Sequence, residues 1–224
     1  MEGILIVNKP QNITSHDVVN IVRRRLKIKK VGHAGTLDPL ATGVLIILVG
    51  RATRLFKTFT DFDKVYEATL TLGAITDTAD SRGKILKTFS YDGVREEKVK
   101  EVFSDFTGKI NQIPPMVSAL KYKGQPLYKL ARSGIEVPRL ARQITIHSLK
   151  LLGFHLPDIV FEVRCSKGTY VRTLGEDIAK GLGGGGHISS IKRINVGPFS
   201  IKDSISVEEV NESHLRPWKE NQKS

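Results

Sequence analysis

The stretch Lys30–Gly43, KVGHAGTLDPLATG, lies between two apolar runs, GILIV at Gly3–Val7 and VLIILV at Val44–Val49. It holds one His, one Asp, one Pro and three Gly and has no helical or strand period. Apolar runs of this length read as buried strands. A glycine-rich loop held between core strands is a place where chemistry concentrates. Asp38 is the only carboxylate in the loop. Taken alone it has two readings, a catalytic group or an Asx-type turn residue before Pro39.

The chain on either side of the loop patterns as a mixed α/β domain. Thr14 or Ser15 can cap a helix with Asp17 in its first turn, and Val18, Val19, Val22 and Leu26 give that helix one apolar stripe. Val65–Leu72 alternates, with Tyr66, Ala68, Leu70 and Leu72 on one face. Val99, Val102, Phe103 and Phe106 predict an amphipathic helix ending at Gly108. Residues 110–142 read as an excursion from the core, with Pro114-Pro115, a dense basic content and a short helix near Leu127–Arg132. Gln143–Leu152 and Ile159–Cys165 return to strand patterns, which places Cys165 in the core. Val171, Leu174, Ile178 and Leu182 define a late helix, ended by the tract Gly183–Gly186. No strand precedes that tract and no Lys-Ser/Thr follows it, so a helix stop fits better than a phosphate loop. Ile188–Ile201 is expected to form a helix or turn and then a strand, and 211–224 to fray.

The 224-residue chain carries a formal charge of +12, which points to a polyanionic partner. Arg23, Arg24, Arg25, Lys27, Lys29 and Lys30 fall just before the loop. Lys121, Lys123, Lys129, Arg132, Arg139 and Arg142 form a second basic region. Such runs are either solvated faces or phosphate contacts. No apolar run spans a bilayer, and the N-terminus lacks a basic leader and a cleavage site. A single cysteine excludes an internal disulfide and a multi-Cys zinc site. A cytoplasmic protein is expected.

Several chemistries fit poorly. His16, His33, His147, His155, His187 and His214 have no metal-ligand spacing, so no metal is expected. There is no nucleophile elbow, no dinucleotide fingerprint and no second acid next to Asp38. What remains is one carboxylate in a glycine-rich loop of a basic protein.

At this point the residues carry a resemblance. VGHAGTLDPLATGVL resembles the motif around the catalytic aspartate of the TruB family of tRNA pseudouridine-55 synthases. GILIVNKPQNITSHD resembles the family's N-terminal Lys-Pro segment, and Lys64-Val65-Tyr66 its Lys-x-Tyr strand. GKINQIPPMVSALKYKGQPLYKLARSG resembles its RNA-contacting insertion, CSKGTYVRTLGEDIA the segment of its active-site arginine, and GHISSIKRINVGPFSI its closing element. The resemblance runs in family order from about Gly3 to Ile201.

The resemblance implies a pseudouridine synthase fold, an α/β (α+β) arrangement with a mixed, mostly antiparallel sheet flanked by helices. It implies isomerisation of uridine 55 in the tRNA T-loop without a cofactor. Asp38 would attack C1′ or remove the 2′ proton, Tyr66 would lie against the uracil and assist at C5, and Arg172 would pair with the carboxylate. His33 would fill the space that the flipped base vacates. Lys9 would be structural or bind phosphate. Lys64, Tyr170 and Ile191 would border the substrate, with Ile191 standing where a leucine is usual. The expected RNA contacts are Arg23, Arg24, Lys29, Lys30, Lys121, Lys123, Arg132 and Arg142.

The expected organisation is a catalytic domain over 1–205, with a thumb-like insertion at about 112–142. A short tail over 206–224 stands where many bacterial members continue into a PUA domain. The expected partner is the T-stem-loop of tRNA, bound by a monomer with no obligate protein partner and no membrane. Two other readings remain, a tRNA-folding chaperone without chemistry and a guide-RNA-dependent H/ACA-type subunit.

Overall fold

A computed structural model describes residues 1–218 of the chain. They form two compact units, one of Met1–Tyr66 with the chain from Ile191 onward, the other of Glu67–Ser190. The first pass through the first unit runs β1 (Gly3–Lys9), α1 (Ser15–Arg25), β2 (Val31–Ala34), β3 (Thr42–Val49) and α2 (Phe56–Asp61). The chain leaves it within β4 (Lys64–Leu72). The second unit continues with β5 (Ala74–Thr76), β6 (Ile85–Thr88), α3 (Glu96–Asp105) and β7 (Gly108–Gln112). It then runs β8 (Lys121–Tyr122), β9 (Gln125–Pro126), α4 (Leu127–Arg132), β10 (Arg142–His155), β11 (Asp158–Cys165) and α5 (Val171–Gly181). The chain returns through β12 (Gly186–Val196) to β13 (Phe199–Ser200) and β14 (Ile205–Ser206).

In the first unit β3 is the central strand. β1 lies antiparallel along one edge, with Gly3 opposite Val49 and Lys9 opposite Gly43. The other edge is shared. β2 pairs with it antiparallel at 46–49, and β12 pairs parallel at Thr42 and Gly43. β14 extends β1 in parallel, and β13 folds back on β12. Val44–Val49 is buried throughout, as a strand with no solvent face must be. Ile4, Ile6, Val44, Ile46, Leu48, Phe59, Val196 and Phe199 form the core of this unit, with Trp218 packed on its edge.

In the second unit the strand order is β4-β11-β10-β7, and the pairs of β10 with β11 and with β7 are antiparallel. The alternation of β4 holds, since Ala68, Leu70 and Leu72 are buried while Glu67 is exposed. Ile159, Phe161, Val163 and Cys165 are all fully buried on one face of β11. α3 packs beside β10, and Phe103 meets Phe161 edge to face at 5.9 Å. The fold is therefore mixed α/β with mostly antiparallel strand pairing.

Three local expectations are corrected. The glycine-rich stretch is not loop throughout, because Val31–Ala34 forms β2. Its sequence has no strand period, and it is a strand because the free edge of β3 offers backbone partners. The chain after α5 enters β12 directly at Gly186 rather than through a helix or turn. There the glycines serve close approach. A Cβ at Gly185 would fall 2.6 Å from the Phe89 ring, and one at Gly186 would fall 2.9 Å from Thr71 O. Residues 211–218 are tied down rather than frayed. Arg216 exchanges both backbone hydrogen bonds with Ile4 at 2.9 Å, and Trp218 stacks among Phe59, Phe62 and Phe199. Residues 219–224 lie outside the described residues.

Candidate active site

Asp38 sits half-buried on the segment that joins β2 to β3. The segment is short of regular structure, so other elements must fix it. The first is the start of α1. Thr14 caps the helix in a capping box with Asp17, which leaves Ser15 free for another task. Ser15 is 2% exposed. Its hydroxyl accepts the Leu37 N–H at 2.8 Å and donates to Leu37 O at 3.1 Å. The Asn12 N–H donates to Pro39 O at 2.8 Å. The chain is thus held on both sides of Asp38, and a turn closes over it where the Ala41 N–H donates to Asp38 O at 3.0 Å.

The second element is β12. Arg193 is 1% exposed. Its Nε donates to Val44 O at 2.7 Å and its Nη2 to Gly35 O at 3.0 Å. Gly43 makes the approach possible. It adopts φ +103°, and a Cβ there would lie 2.2 Å from Arg193 O.

The buried cations nearby also serve the backbone. Lys9 is fully buried and donates through Nζ to Pro10 O and Ile13 O, both at 2.8 Å, bracing the turn into α1. Lys64, 7% exposed, donates to Thr60 O at 2.7 Å and to Phe62 O. Tyr66 and Ile191 are each buried to all but 8% of their surface.

His33 lies on β2 opposite Ile47. Burial, then the positive charges of Arg193 and His16, lower its pKa to about 4. It is a neutral imidazole at physiological pH, and its Nδ1 has no hydrogen-bond partner among the described residues. A neutral ring suits contact with a base better than with a phosphate.

In the second unit, Arg172 occupies the first turn of α5 and is 3% exposed. Nη1 donates to Thr78 O and Nη2 to Val117 O, each at 2.7 Å. Its guanidinium is therefore buried and oriented, not solvated. Tyr170 precedes the helix, and Gln112 fixes it with both ends of its amide. Gln112 Oε1 accepts the Tyr170 N–H at 2.8 Å, and Nε2 donates to Tyr170 O at 3.1 Å. A cavity of about 650 Å³ is lined by Thr78 and Val117 together with Thr173, Glu176 and Asp177 of α5. Burial raises the pKa of both acids.

The basic candidates divide by use. Arg24, Lys29, Lys30, Lys121, Lys123, Arg132 and Arg142 are exposed. Arg23 is half-buried, and its guanidinium donates to Asn20 Oδ1 at 3.1 Å and Val31 O at 2.9 Å. Lys123 lies over the Tyr122 ring and Arg132 over the Tyr128 ring, each 5.6 Å from the centroid. Sequence reasoning missed Ser15 as a loop anchor, Arg193 and Gln112. For Arg193 a signal exists, a cation in register with the buried face of a strand. For Ser15 and Gln112 no local signal exists, because their partners are main-chain groups distant in sequence.

Comparison with known proteins places the chain in a family. Residues 23–171 match the model of the N-terminal domain of TruB family pseudouridylate synthases. The chain belongs to the TruB family. Residues 172–224 match the tRNA pseudouridylate synthase B C-terminal domain, so the two models meet at Arg172. The tRNA pseudouridine synthase B of Syntrophotalea carbinolica is 50% identical over 94% of this chain and 69% of its own length. That of Clostridium tetani is 49% identical over 97% of this chain and 75% of its own. Among solved structures, a chain of a Cbf5-Nop10-Gar1 complex superposes with a TM-score of 0.73 at 30% identity over 92% of this chain. This TruB chain spans about half, 53%, of that longer chain. No helix among the described residues is long and apolar enough to cross a membrane.

Proposed function

We propose that this TruB family member isomerises a uridine of tRNA to pseudouridine, at position 55 of the T-loop. The observation that carries the reading is the seat of Asp38, a half-buried carboxylate whose flanking residues are anchored by Ser15 and Asn12. Anchors on both neighbours of Asp38 fix where its carboxylate is presented, and orientation of this kind is a large part of a catalytic group's effect. The target base is stacked in folded RNA and must be flipped out for its glycosidic carbon to be reached. Asp38 then acts on the sugar, attacking C1′ or removing the 2′ proton. The N1–C1′ bond breaks, the uracil turns, and C5 joins C1′ as the Asp38–C1′ bond is released or the 2′ proton is returned. The C5 proton leaves, assisted by Tyr66, and N1 takes up a proton. Arg172 is the proposed cationic partner of the carboxylate, and its fixed guanidinium suits that task. His33, Lys64, Tyr170 and Ile191 border the nucleotide, while Lys9 holds the turn before α1.

The insertion at about 112–142 and the exposed cations before β2 bind the T-stem-loop. The protein acts as a cytoplasmic monomer without a guide RNA or an obligate protein partner, the catalytic domain spanning 1–205. The test is tritium release from C5-labelled tRNA transcript by the purified chain alone. Wild type is expected to release tritium, and Asp38→Asn to lose at least about 10³-fold in rate while still binding tRNA. An Asp38→Asn protein that keeps its rate sinks the reading. Activity only after addition of a guide RNA and partner proteins would favour the H/ACA-type alternative, which the likeness to a Cbf5-containing complex keeps in view.

A further inference from the structure

We infer that Arg193 is a positioning residue for Asp38, gripping from β12 both shoulders of the segment that carries the carboxylate. The inference rests on the activity proposed above. Three observations support it. First, Arg193 is 1% exposed and sits on a strand, where a guanidinium is costly to bury unless its N–H groups are well used. Second, both its hydrogen bonds go to main-chain carbonyls of one segment. Gly35 O lies at the end nearest β2, and Val44 O lies just inside β3. Arginine reaches the two carbonyls from two separate nitrogens of a rigid plane, Nε and Nη2, whereas an ammonium makes all its bonds from one nitrogen, as Lys9 and Lys64 do. Third, the register brings Arg193 opposite Gly43, where any side chain would collide with Arg193 O.

Between these shoulders, Ser15 holds Leu37 and Asn12 holds Pro39. The inner anchors fix the neighbours of Asp38, and Arg193 fixes the frame on which they sit. Without it, α1 would hold a segment whose ends could drift relative to β3. A displacement of about 1 Å in a catalytic group costs on the order of 100-fold in rate.

The experiment compares wild type, Arg193→Lys, Arg193→Met and Asp38→Asn in single-turnover pseudouridine formation at saturating enzyme, with tRNA affinity measured separately. Arg193→Lys keeps the buried charge but not the fork. It is expected to fold and to react about 10-fold more slowly, and Arg193→Met about 100-fold more slowly, both with tRNA affinity within about twofold of wild type. A general loss of structure would lower affinity and rate together, so the split between them isolates positioning. The inference is overturned if Arg193→Lys reacts within about threefold of wild type, or if affinity falls in step with rate. It is overturned too if Arg193→Lys fails to fold, because Arg193 would then serve the core alone. Inactive wild type defeats the proposed activity and this inference with it. Active wild type, inactive Asp38→Asn and unaffected Arg193→Lys defeat only the positioning role.

Discussion

The anchors around Asp38 and those on Arg172 follow different plans. The segment that carries the acid is anchored through its backbone: Ser15, Asn12 and Arg193 all bind main-chain groups on either side of Asp38. Arg172 is held through its side chain, with the two ends of the guanidinium on Thr78 O and Val117 O. The two plans differ in what a mutation removes. A change in an anchor of the Asp38 segment leaves the carboxylate present but displaced. A change at Arg172 removes the charge and its orientation together. Their surroundings differ as well. Asp38 is flanked by β2 and β3, whereas Val117 belongs to 113–120, a stretch without helix or strand between β7 and β8.

The largest effect that sharpens this contrast is at Arg172. Arg172→Lys keeps a positive charge but gives up the fork that spans two carbonyls. The rate is expected to fall about 100-fold in tritium release, approaching the loss in Arg172→Met. A Lys variant near wild-type rate would mean that charge alone matters and that the two carbonyls are incidental.

Next comes Ser15→Ala. It strips Leu37 N–H of its buried partner, which costs about 1–3 kcal/mol, read as a lowered unfolding midpoint. The rate should fall about 10-fold, because the carboxylate is still present and the Asn12 and Arg193 anchors remain. If stability falls with no loss of rate, the backbone plan for Asp38 is wrong.

How far these seats could be read from sequence follows from the same contrast. Periodicity located α1, α3, α5, β4, β10 and β11, because one buried face repeats at fixed spacing, and continuous apolar runs located β1 and β3. The resemblance pointed to Asp38 and Arg172. Arg193 left a signal, a cation in register with the buried face of a strand, but Ser15 and Gln112 were not legible. Ser15 looked like a helix cap until Thr14 took that role, and Gln112 looked like an ordinary polar residue at the edge of the excursion. β2 was hidden inside a glycine-rich stretch because its strand character comes from the edge of β3, not from its own residues. The tract Gly183–Gly186 was read as a helix stop. The packing of Phe89 and Ile75 on Gly185, and of Leu70 and Thr71 O on Gly186, explains why neither carries a side chain. In each case the missing information is a non-local partner.

A third prediction concerns pH and belongs to the Asp38 side alone. The folded-state pKa of His33, about 4, lies below its unfolded value near 6.5, so the unfolded chain binds the extra proton between those values. Stability therefore falls as pH drops from about 6.5 to about 4, by roughly 2–3 kcal/mol from this group. His33→Gln should flatten that part of the stability profile measured by urea denaturation. An unchanged acid slope would show that His33 is more hydrated than its setting on β2 indicates.

The smallest effect separates cations that face solvent from cations that serve the fold. Arg23 and Arg24 are neighbours in one basic run, yet only Arg24 is exposed. Arg23 spends its guanidinium on Asn20 and on Val31 O at the start of β2. Removing one cation that neutralises a phosphate should reduce the slope of log affinity against log salt by about 0.7–0.9, whatever the RNA sequence. Arg24→Ala with Lys29→Ala should therefore flatten the salt dependence of tRNA binding by about 1.4–1.8, with the unfolding midpoint unchanged. Arg23→Ala should do the reverse, lowering the midpoint by about 1 kcal/mol of stability and leaving the salt slope nearly intact. If Arg23→Ala flattens the slope as much as the exposed pair does, its hydrogen bond to Val31 O yields to RNA, and the division between structural and RNA-facing cations in this run disappears.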